Sequence, residues 1–253
     1  MQLNLNNPIA TRKNKTIYKD GDKIIKLFVS SHPKSNVLNE ALNQARVEEF
    51  SNLNVPRLLE VTKVENSWAL VSEYVEGKTI STLMKEYPDK VDHYLDLFVK
   101  VQLVILENEV PMLNRIKEKF REKLENCDNI DENIKYELLQ RLEGMKNHKK
   151  LCHGDFHPSN VIVQEDGTVY VIDWSHVTQG NASADAARTY LLFSMDGKEE
   201  LANKYLDMFE KMSGIEKKSI QRWIPIVAAT QMTKKIPEEQ EFLSKWINID
   251  DYE

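Results

Sequence analysis

The 253 residues contain only two cysteines, Cys127 and Cys152. Two thiols give no disulfide framework, and a reducing, cytoplasmic setting is the simpler expectation. Long apolar runs are also missing. The longest, such as Leu103–Leu106 and Ile224–Ala229, are far too short to span a bilayer, so no membrane partner is expected. There is no excess of positive charge: 34 basic residues stand against 40 acidic ones, for a net charge of −6. That balance gives no reason to expect a nucleic-acid partner. The opening residues are Asn-rich and lack the apolar core of a signal peptide. No repeat or low-complexity stretch breaks the chain. At 41% apolar residues it can still bury a substantial core, in about one or two domains.

The stretch Leu151–Trp174 organises the rest. It reads Leu-Cys-His-Gly-Asp-Phe-His-Pro-Ser-Asn-Val-Ile-Val, then Gln-Glu-Asp-Gly-Thr, then Val-Tyr-Val-Ile-Asp-Trp. Val161–Val163 is a short β-branched run, Asp166-Gly167 is a hairpin turn signal, and Val169–Ile172 returns as a second strand. A hairpin brings its outer ends together, so Asp155, Asn160 and Asp173 can meet at one mouth. Such oxygen-bearing groups suit Mg²⁺, which usually takes one or two protein ligands plus phosphates and water. Asn160 and Asp173 would supply the ligands, and Asp155 would be left to handle an attacking hydroxyl. A transition-metal site from His153, Asp155 and His157, assisted by Cys152 or His176, is the competing reading. His-x3-His needs a helix to face one metal, and Gly154 with Pro158 argues against a regular helix.

His153-Gly154-Asp155 with Asn160, followed by Asp173-Trp174, resembles the catalytic and metal loops of kinases. The His-Gly-Asp-x-His-Pro-x-Asn and Ile-Asp-Trp forms resemble the aminoglycoside phosphotransferase and choline kinase-like family more than protein kinases. The resemblance runs from Ile9 to about Trp246. It implies a bilobal, α+β protein kinase-like fold. A small antiparallel-sheet lobe, residues 1–77, would bind nucleotide, and a mostly helical lobe, residues 78–253, would carry catalysis and the acceptor. It implies transfer of the γ-phosphoryl group of ATP (or GTP), with Mg²⁺, to a hydroxyl of a small molecule. Asp155 would orient and deprotonate that hydroxyl.

The N-terminal residues supply the remaining parts of this reading. Ile9–Thr11, Thr16–Lys19 and Asp22–Phe28 read as three antiparallel strands, with Asp20-Gly21 as a turn. In the third, Lys23-Ile24-Ile25-Lys26 resembles the Val-Ala-Ile-Lys strand of kinases. Alternation puts Ile24, Lys26 and Phe28 on one face and Ile25 and Leu27 on the other. Both faces are apolar, so Lys26 needs an anionic partner. Ser35 or Asn36 can cap a helix over Val37–Phe50, where Glu40 best matches the glutamate that pairs with the strand lysine. Glu48 is the alternative. The turn Arg12-Lys13-Asn14-Lys15 contains no glycine, unlike the Gly-rich loop of kinases. Its basic side chains could replace backbone contacts to phosphate, or it could be a solvated hairpin tip. Leu58–Val64 and Trp68–Val75 follow as strands. Tyr74 and Val75 resemble the hinge that hydrogen-bonds adenine, with Gly77 giving freedom to turn.

From Ile80 the pattern is helical. Asp92–Leu106 is a core-facing helix. Two amphipathic helices follow around Leu113–Leu124 and Ile134–Met145, the second capped by Asp131, and their charged faces read as solvated. A polar loop to Ala182 precedes a helix opening at Asp185. In kinase-like folds the corresponding carboxylate bonds the backbone of the catalytic loop. Further helices are expected over Lys198–Met212, Glu216–Lys234 (kinked at Pro225) and Pro237–Ile247. Glu238, Glu239, Glu241, Asp250, Asp251 and Glu253 lie near Trp223, Phe242, Trp246 and Tyr252. That mixture suggests a cationic alcohol as acceptor, through charge attraction and cation–π contact. A protein kinase-like enzyme and a non-catalytic nucleotide-binding module remain as alternatives, although no Ala-Pro-Glu signature follows Asp173.

Overall fold

A computed structural model describes residues 3–248. The chain begins with β1 (Pro8–Thr11), β2 (Lys15–Asp20), β3 (Lys23–Phe28), α1 (Lys34–Phe50), β4 (Leu58–Val64) and β5 (Ser67–Glu73). Next come β6 (Lys78–Thr79), α2 (Ile80–Glu86), α3 (Val91–Glu107), α4 (Ile116–Glu125) and α5 (Glu132–Gly144). Short strands β7 (Lys150–Cys152), β8 (Val161–Val163), β9 (Val169–Val171) and β10 (Thr178–Gly180) follow. The last helices are α6 (Ala182–Met195), α7 (Glu199–Ser213), α8 (Lys217–Gln221), α9 (Ile224–Met232) and α10 (Pro237–Ser244). No helix among the described residues is long and apolar enough to cross a membrane.

The elements pack as two compact units. One comprises the residues up to Glu86 together with Pro158–His176; the other comprises Tyr87–His157 and the residues from Val177 onward. The first unit therefore takes in the hairpin β8–β9 as well as the N-terminal sheet. This packing division is separate from the functional boundary after residue 77 read from the sequence.

In the first unit, five strands form an antiparallel sheet in the order β1-β2-β3-β5-β4. The alternation expected for β3 holds. Phe28 packs with Val37 and Ala41 of α1 and with Leu70, while Ile25 joins Ala69 and Val71 on the opposite face. Lys26 shares the face of Phe28 and is buried, at 9% exposure. Helix α1 begins three residues before the expected Val37. Pro33 stands at its N-cap with no side-chain cap, so neither Ser35 nor Asn36 caps it. Proline's fixed φ suits the entry to a helix without needing a donor. The two-residue strand β6 adds to β8, giving a three-stranded sheet β6-β8-β9. Gly77, just before β6, has φ +143°, and a Cβ there would lie 2.5 Å from the Val163 carbonyl oxygen. Here glycine permits close approach to β8 as well as the turn.

The second unit is mostly helical, with one small sheet in which β7 pairs with β10. Two expectations need correction. The polar loop expected up to Ala182 contains β10, and α6 starts at Ala182 behind an Asn181 cap that accepts from the Ser183 amide. The expected helix Glu216–Lys234 is two helices, α8 and α9. Pro225 lies in the first turn of α9, where its missing N–H costs nothing. The Asp131 cap of α5 is present, with Oδ1 2.8 Å from the Asn133 amide. Trp223 is buried at 1% exposure and meets Phe120 edge-on at 6.5 Å, so it is a core residue.

Candidate active site

In the first unit, β2, β3, α1 and the turn after β9 bring four charged side chains together. Lys26 Nζ lies 2.7 Å from Glu40 Oε1 and 3.0 Å from Asp173 Oδ1. Of the two candidate glutamates, Glu40 therefore meets the strand lysine. Glu48 instead accepts from the Leu58 amide at 2.9 Å, fixing the start of β4. Burial alone would lower the pKa of Lys26, but the Asp173 and Glu40 carboxylates outweigh it and hold the ammonium above lysine's usual range.

Lys15 is the fourth member. Its Nζ lies 3.5 Å from Glu40 Oε1 and 3.7 Å from Asp173 Oδ1. Arg12, Lys13 and Asn14 are exposed, and the Arg12 amide closes the turn on the Lys15 carbonyl at 2.8 Å. Thus three residues of the glycine-free loop form a solvated tip, and the fourth turns inward at the start of β2. The sequence signal was the basic loop itself; alternation along β2 singles out Lys15 only once the strand start is known.

Asp173 has φ +64°, a left-handed conformation that few non-glycine residues adopt. Trp174 Nε1 donates to the Val171 carbonyl at 3.0 Å, pinning the turn from inside. Such strained positions cluster at functional sites. The Asp173 side chain is 30% exposed, against 10–12% for Lys15, Lys26 and Glu40, so it is the member of the cluster most open to a ligand. Asn160 lies in the same unit, buried at the end of a short 3₁₀ turn, Pro158–Asn160. Its carbonyl accepts from the Ile172 amide at 2.9 Å, tying it to the residue before Asp173. The hairpin thus sets Asn160 alongside the Asp173 turn. Its tip has the expected chemistry: Gly167 has φ +86°, and Thr168 N donates to Asp166 Oδ1 at 2.9 Å.

Tyr74 and Val75 leave β5 in the same unit. The Tyr74 amide already donates to the Asp22 carbonyl at 2.8 Å. A ligand at this edge would therefore meet the Tyr74 carbonyl and the Val75 backbone, and not the Tyr74 N–H. The Tyr74 ring is covered by Lys19, whose Nζ is 3.7 Å from its centroid.

Asp155 lies in the second unit, on the loop between β7 and residue 157. Arg188 of α6 donates to Asp155 Oδ1 at 3.1 Å. A buried polar network holds the loop on both sides of Asp155. The Gly154 amide, with φ +78° at Gly154, donates to Asp185 Oδ1 at 2.7 Å. Thr189 Oγ1 donates to the Phe156 carbonyl at 2.9 Å. Gln102 Nε2 donates to Asp185 Oδ2 at 3.0 Å, and Tyr205 donates to Gln102 Oε1 at 2.6 Å. Asp185 thus takes the role expected of it. Burial pushes its carboxyl up, against the hydrogen bonds from Gly154 and Gln102. Gln102, Thr189 and Tyr205 carry no motif, and only the fold reveals them.

The transition-metal reading loses His153 and Cys152 here, while His157 Nε2 lies 3.8 Å from Asp155 Oδ2. His153 is fully buried, edge-on to Phe156 at 5.7 Å, and the Asp155 amide lies 3.3 Å from its Nδ1. Burial pushes the Cys152 thiol well up, with Asp185 adding to the effect, so it is no thiolate. Among the described residues, no group of three or more His, Cys, Asp or Glu is placed to hold a metal. The Asn160 amide oxygen and the Asp173 carboxylate are hard oxygen donors, the type that fits Mg²⁺ with phosphate and water completing its shell.

Comparisons with known proteins bear on the fold and the family. A thermostable mutant of aminoglycoside phosphotransferase APH(4)-Ia, solved with ADP and hygromycin B, superimposes with a TM-score of 0.70 at 13% identity, covering 95% of this chain and 89% of its own. The aminoglycoside-3'-phosphotransferase of type VIII gives 0.64 at 14% identity, covering 90% and 93%. The choline kinase LicA from Streptococcus pneumoniae gives 0.61 at 16% identity, covering 92% and 84%. At these identities the likeness establishes the α+β, kinase-like fold. No curated protein sequence matches. The model of the phosphotransferase enzyme family matches residues 11–218, most of the chain, and the protein belongs to that family.

Proposed function

We propose that this phosphotransferase is a small-molecule kinase that moves the γ-phosphoryl group of ATP (or GTP) to an alcohol. The observation that carries the reading is the cluster Lys15–Lys26–Glu40–Asp173, two ammonium groups held beside an outward-facing carboxylate. A purely structural ion cluster needs neither a left-handed Asp173 nor its exposure.

The roles follow from the chemistry. Lys26, fixed by Glu40, and Lys15 bind nucleotide phosphates as point charges, which removes the need for a Gly-rich loop. The Tyr74 carbonyl and Val75 backbone bind the base. Asn160 and Asp173 hold Mg²⁺, which neutralises phosphate charge when bound. Asp155 orients the acceptor hydroxyl and takes its proton as the new P–O bond forms and the bond to the β-phosphate oxygen breaks. Such transition states are loose, so positioning and charge stabilisation supply most of the catalysis. The network from Gly154 and Phe156 to Asp185, Gln102 and Thr189 keeps the Asp155 loop rigid, and Arg188 fixes its carboxylate.

Several of the residues named for a cationic alcohol have partners within the fold. Trp223 is core, and Trp246 packs against Phe242 and Tyr190 at 5.8 Å. Glu239 accepts from Gln231 Nε2 at 2.6 Å. Asp250, Asp251, Tyr252 and Glu253 lie outside the described residues. The test of the function is a coupled assay for nucleoside diphosphate release across a panel of small alcohols, with MgATP and MgGTP in parallel. Acceptor-stimulated release supports the kinase. Nucleotide binding without stimulated release by any alcohol favours the non-catalytic module.

A further inference from the structure

A pocket of about 130 Å³ opens on the second unit, where the start of α4 meets β10 and the segment that enters β7. Arg115, Lys117, Lys146, His148 and Lys149 line it, and among the described residues no acidic side chain does. On a chain with a net charge of −6, that lining is a local reversal of sign. Neither Asp155 nor Arg188, Asp185 or Thr189 lines it. Lys149 precedes β7 and Asp155 follows it, so the pocket and the catalytic loop lie at opposite ends of that strand.

The walls are held without help from a ligand. Lys117 Nζ donates to the Glu143 and Met145 carbonyls at 2.9 and 2.8 Å, which ties the end of α5 to the start of α4. Asn181 Nδ2 lies 3.5 Å from the Lys146 carbonyl and fastens that segment to the cap of α6. On the third side, the Gln179 amide donates to the Asn114 carbonyl at 2.9 Å, and its Nε2 donates to the Val110 carbonyl at 3.3 Å. A Cβ at Gly180 would collide with the Ile116 side chain, so glycine lets β10 close on α4. These contacts end on main-chain carbonyls or on packing, and none of them neutralises a charge. Arg115 does meet Glu118, but at 3.7 Å and with the two side chains 65% and 66% exposed, which makes a weak pair.

A fixed cleft with charges of one sign around it focuses their field and concentrates counter-ions. Here the lining comes from three separate segments, around Arg115, Lys146 and Gln179. A tetrahedral phosphate accepts from several directions at once, whereas a flat carboxylate offers two oxygens. A phosphate monoester also carries about −1.5 to −2 charge near neutral pH, on three acceptor oxygens. The cavity is several times the roughly 30 Å³ that one water takes up in the liquid, so a phosphate group has room.

We infer that this pocket is a second ligand site, which binds a phosphate dianion, either inorganic phosphate or the phosphate end of a small monoester. Arg115 presents paired N–H groups to a phosphate edge, and Lys146 and Lys149 act as point charges. The site goes beyond the phosphoryl-transfer reading and does not depend on it.

The test is an NMR titration of the full chain at neutral pH and constant ionic strength, followed at the amides of Gln179, Gly180 and Asn181. The probes are inorganic phosphate, glycerol 3-phosphate and acetate. Phosphate should give saturating shifts at these three amides, and acetate weaker ones that do not saturate. Saturation by both phosphates assigns the site to the shared group, and saturation by one alone identifies which source it takes. Lys146→Ala with Lys149→Ala should raise the phosphate Kd about tenfold or more, the scale of one lost charge-assisted hydrogen bond. Both lysines are exposed, so that variant should keep the wild-type spectrum elsewhere. No saturating shift with either phosphate, an equal response to acetate, or an unchanged Kd in the double variant overturns the inference.

Discussion

Asp155→Asn is expected to lower turnover by about 10²–10⁴-fold, the usual contribution of a positioned general base. Nucleotide affinity should hardly change. Asparagine keeps the shape of the side chain but cannot take a proton. The loop around it is held by contacts that the substitution leaves alone, Gly154 to Asp185 and Phe156 to Thr189. Arg188 would then face a neutral amide in place of the carboxylate 3.1 Å away. Steady-state rates with a saturating alcohol, beside a nucleotide titration by calorimetry, separate the two roles. Lost nucleotide binding with an unchanged residual rate would place Asp155 with the nucleotide and not with the acceptor.

Lys26→Met is expected to destabilise the first unit strongly. It leaves the buried Glu40 carboxylate, formerly 2.7 Å from an ammonium, with only Lys15 at 3.5 Å. Breaking a buried pair costs about 3–5 kcal/mol, and the remaining Lys15 places the expected loss near the lower end. Removing both charges, Lys26→Met with Glu40→Leu, should recover a good part of it, because no orphaned carboxylate remains. Denaturant unfolding of the three variants measures this. A loss below about 1 kcal/mol would mean that the cluster behaves as an exposed ion pair. Lys26 is held above lysine's usual range. A raised lysine contributes its full stabilisation below the unfolded value of 10.5, and that contribution is lost only as pH rises through the folded value, so the cluster persists through neutral pH.

What the sequence revealed follows the range of the interactions. The turn at Asp166-Gly167 and the cap at Asp131 are local chemistry, and both are present. Alternation in β3 gave the two-sided burial that made Lys26 seek a partner, and spacing along α1 narrowed that partner to Glu40 or Glu48. Choosing between them needed three dimensions, because Glu48 answers to Leu58 on the next strand. The pairing of β7 with β10 was not legible. Thr178-Gln179-Gly180 has no apolar alternation, and its partner residues lie 26 to 30 positions earlier in the chain. The network behind Asp155 was missed for a related reason. Gln102, Thr189 and Tyr205 lie on three separate helices and carry no motif, and only the packing of α3, α6 and α7 brings them together.

The central claim, that this chain binds a magnesium nucleotide through Lys15, Lys26, Asn160 and Asp173, is tested most directly by thermal unfolding with and without nucleotide. A ligand bound only by the folded protein stabilises it by about 2.7 kcal/mol at a hundredfold excess over its Kd. The melting temperature should rise with MgATP or MgGTP, and rise less for Asp173→Ala. No rise with either nucleotide would contradict the account, whatever the alcohol.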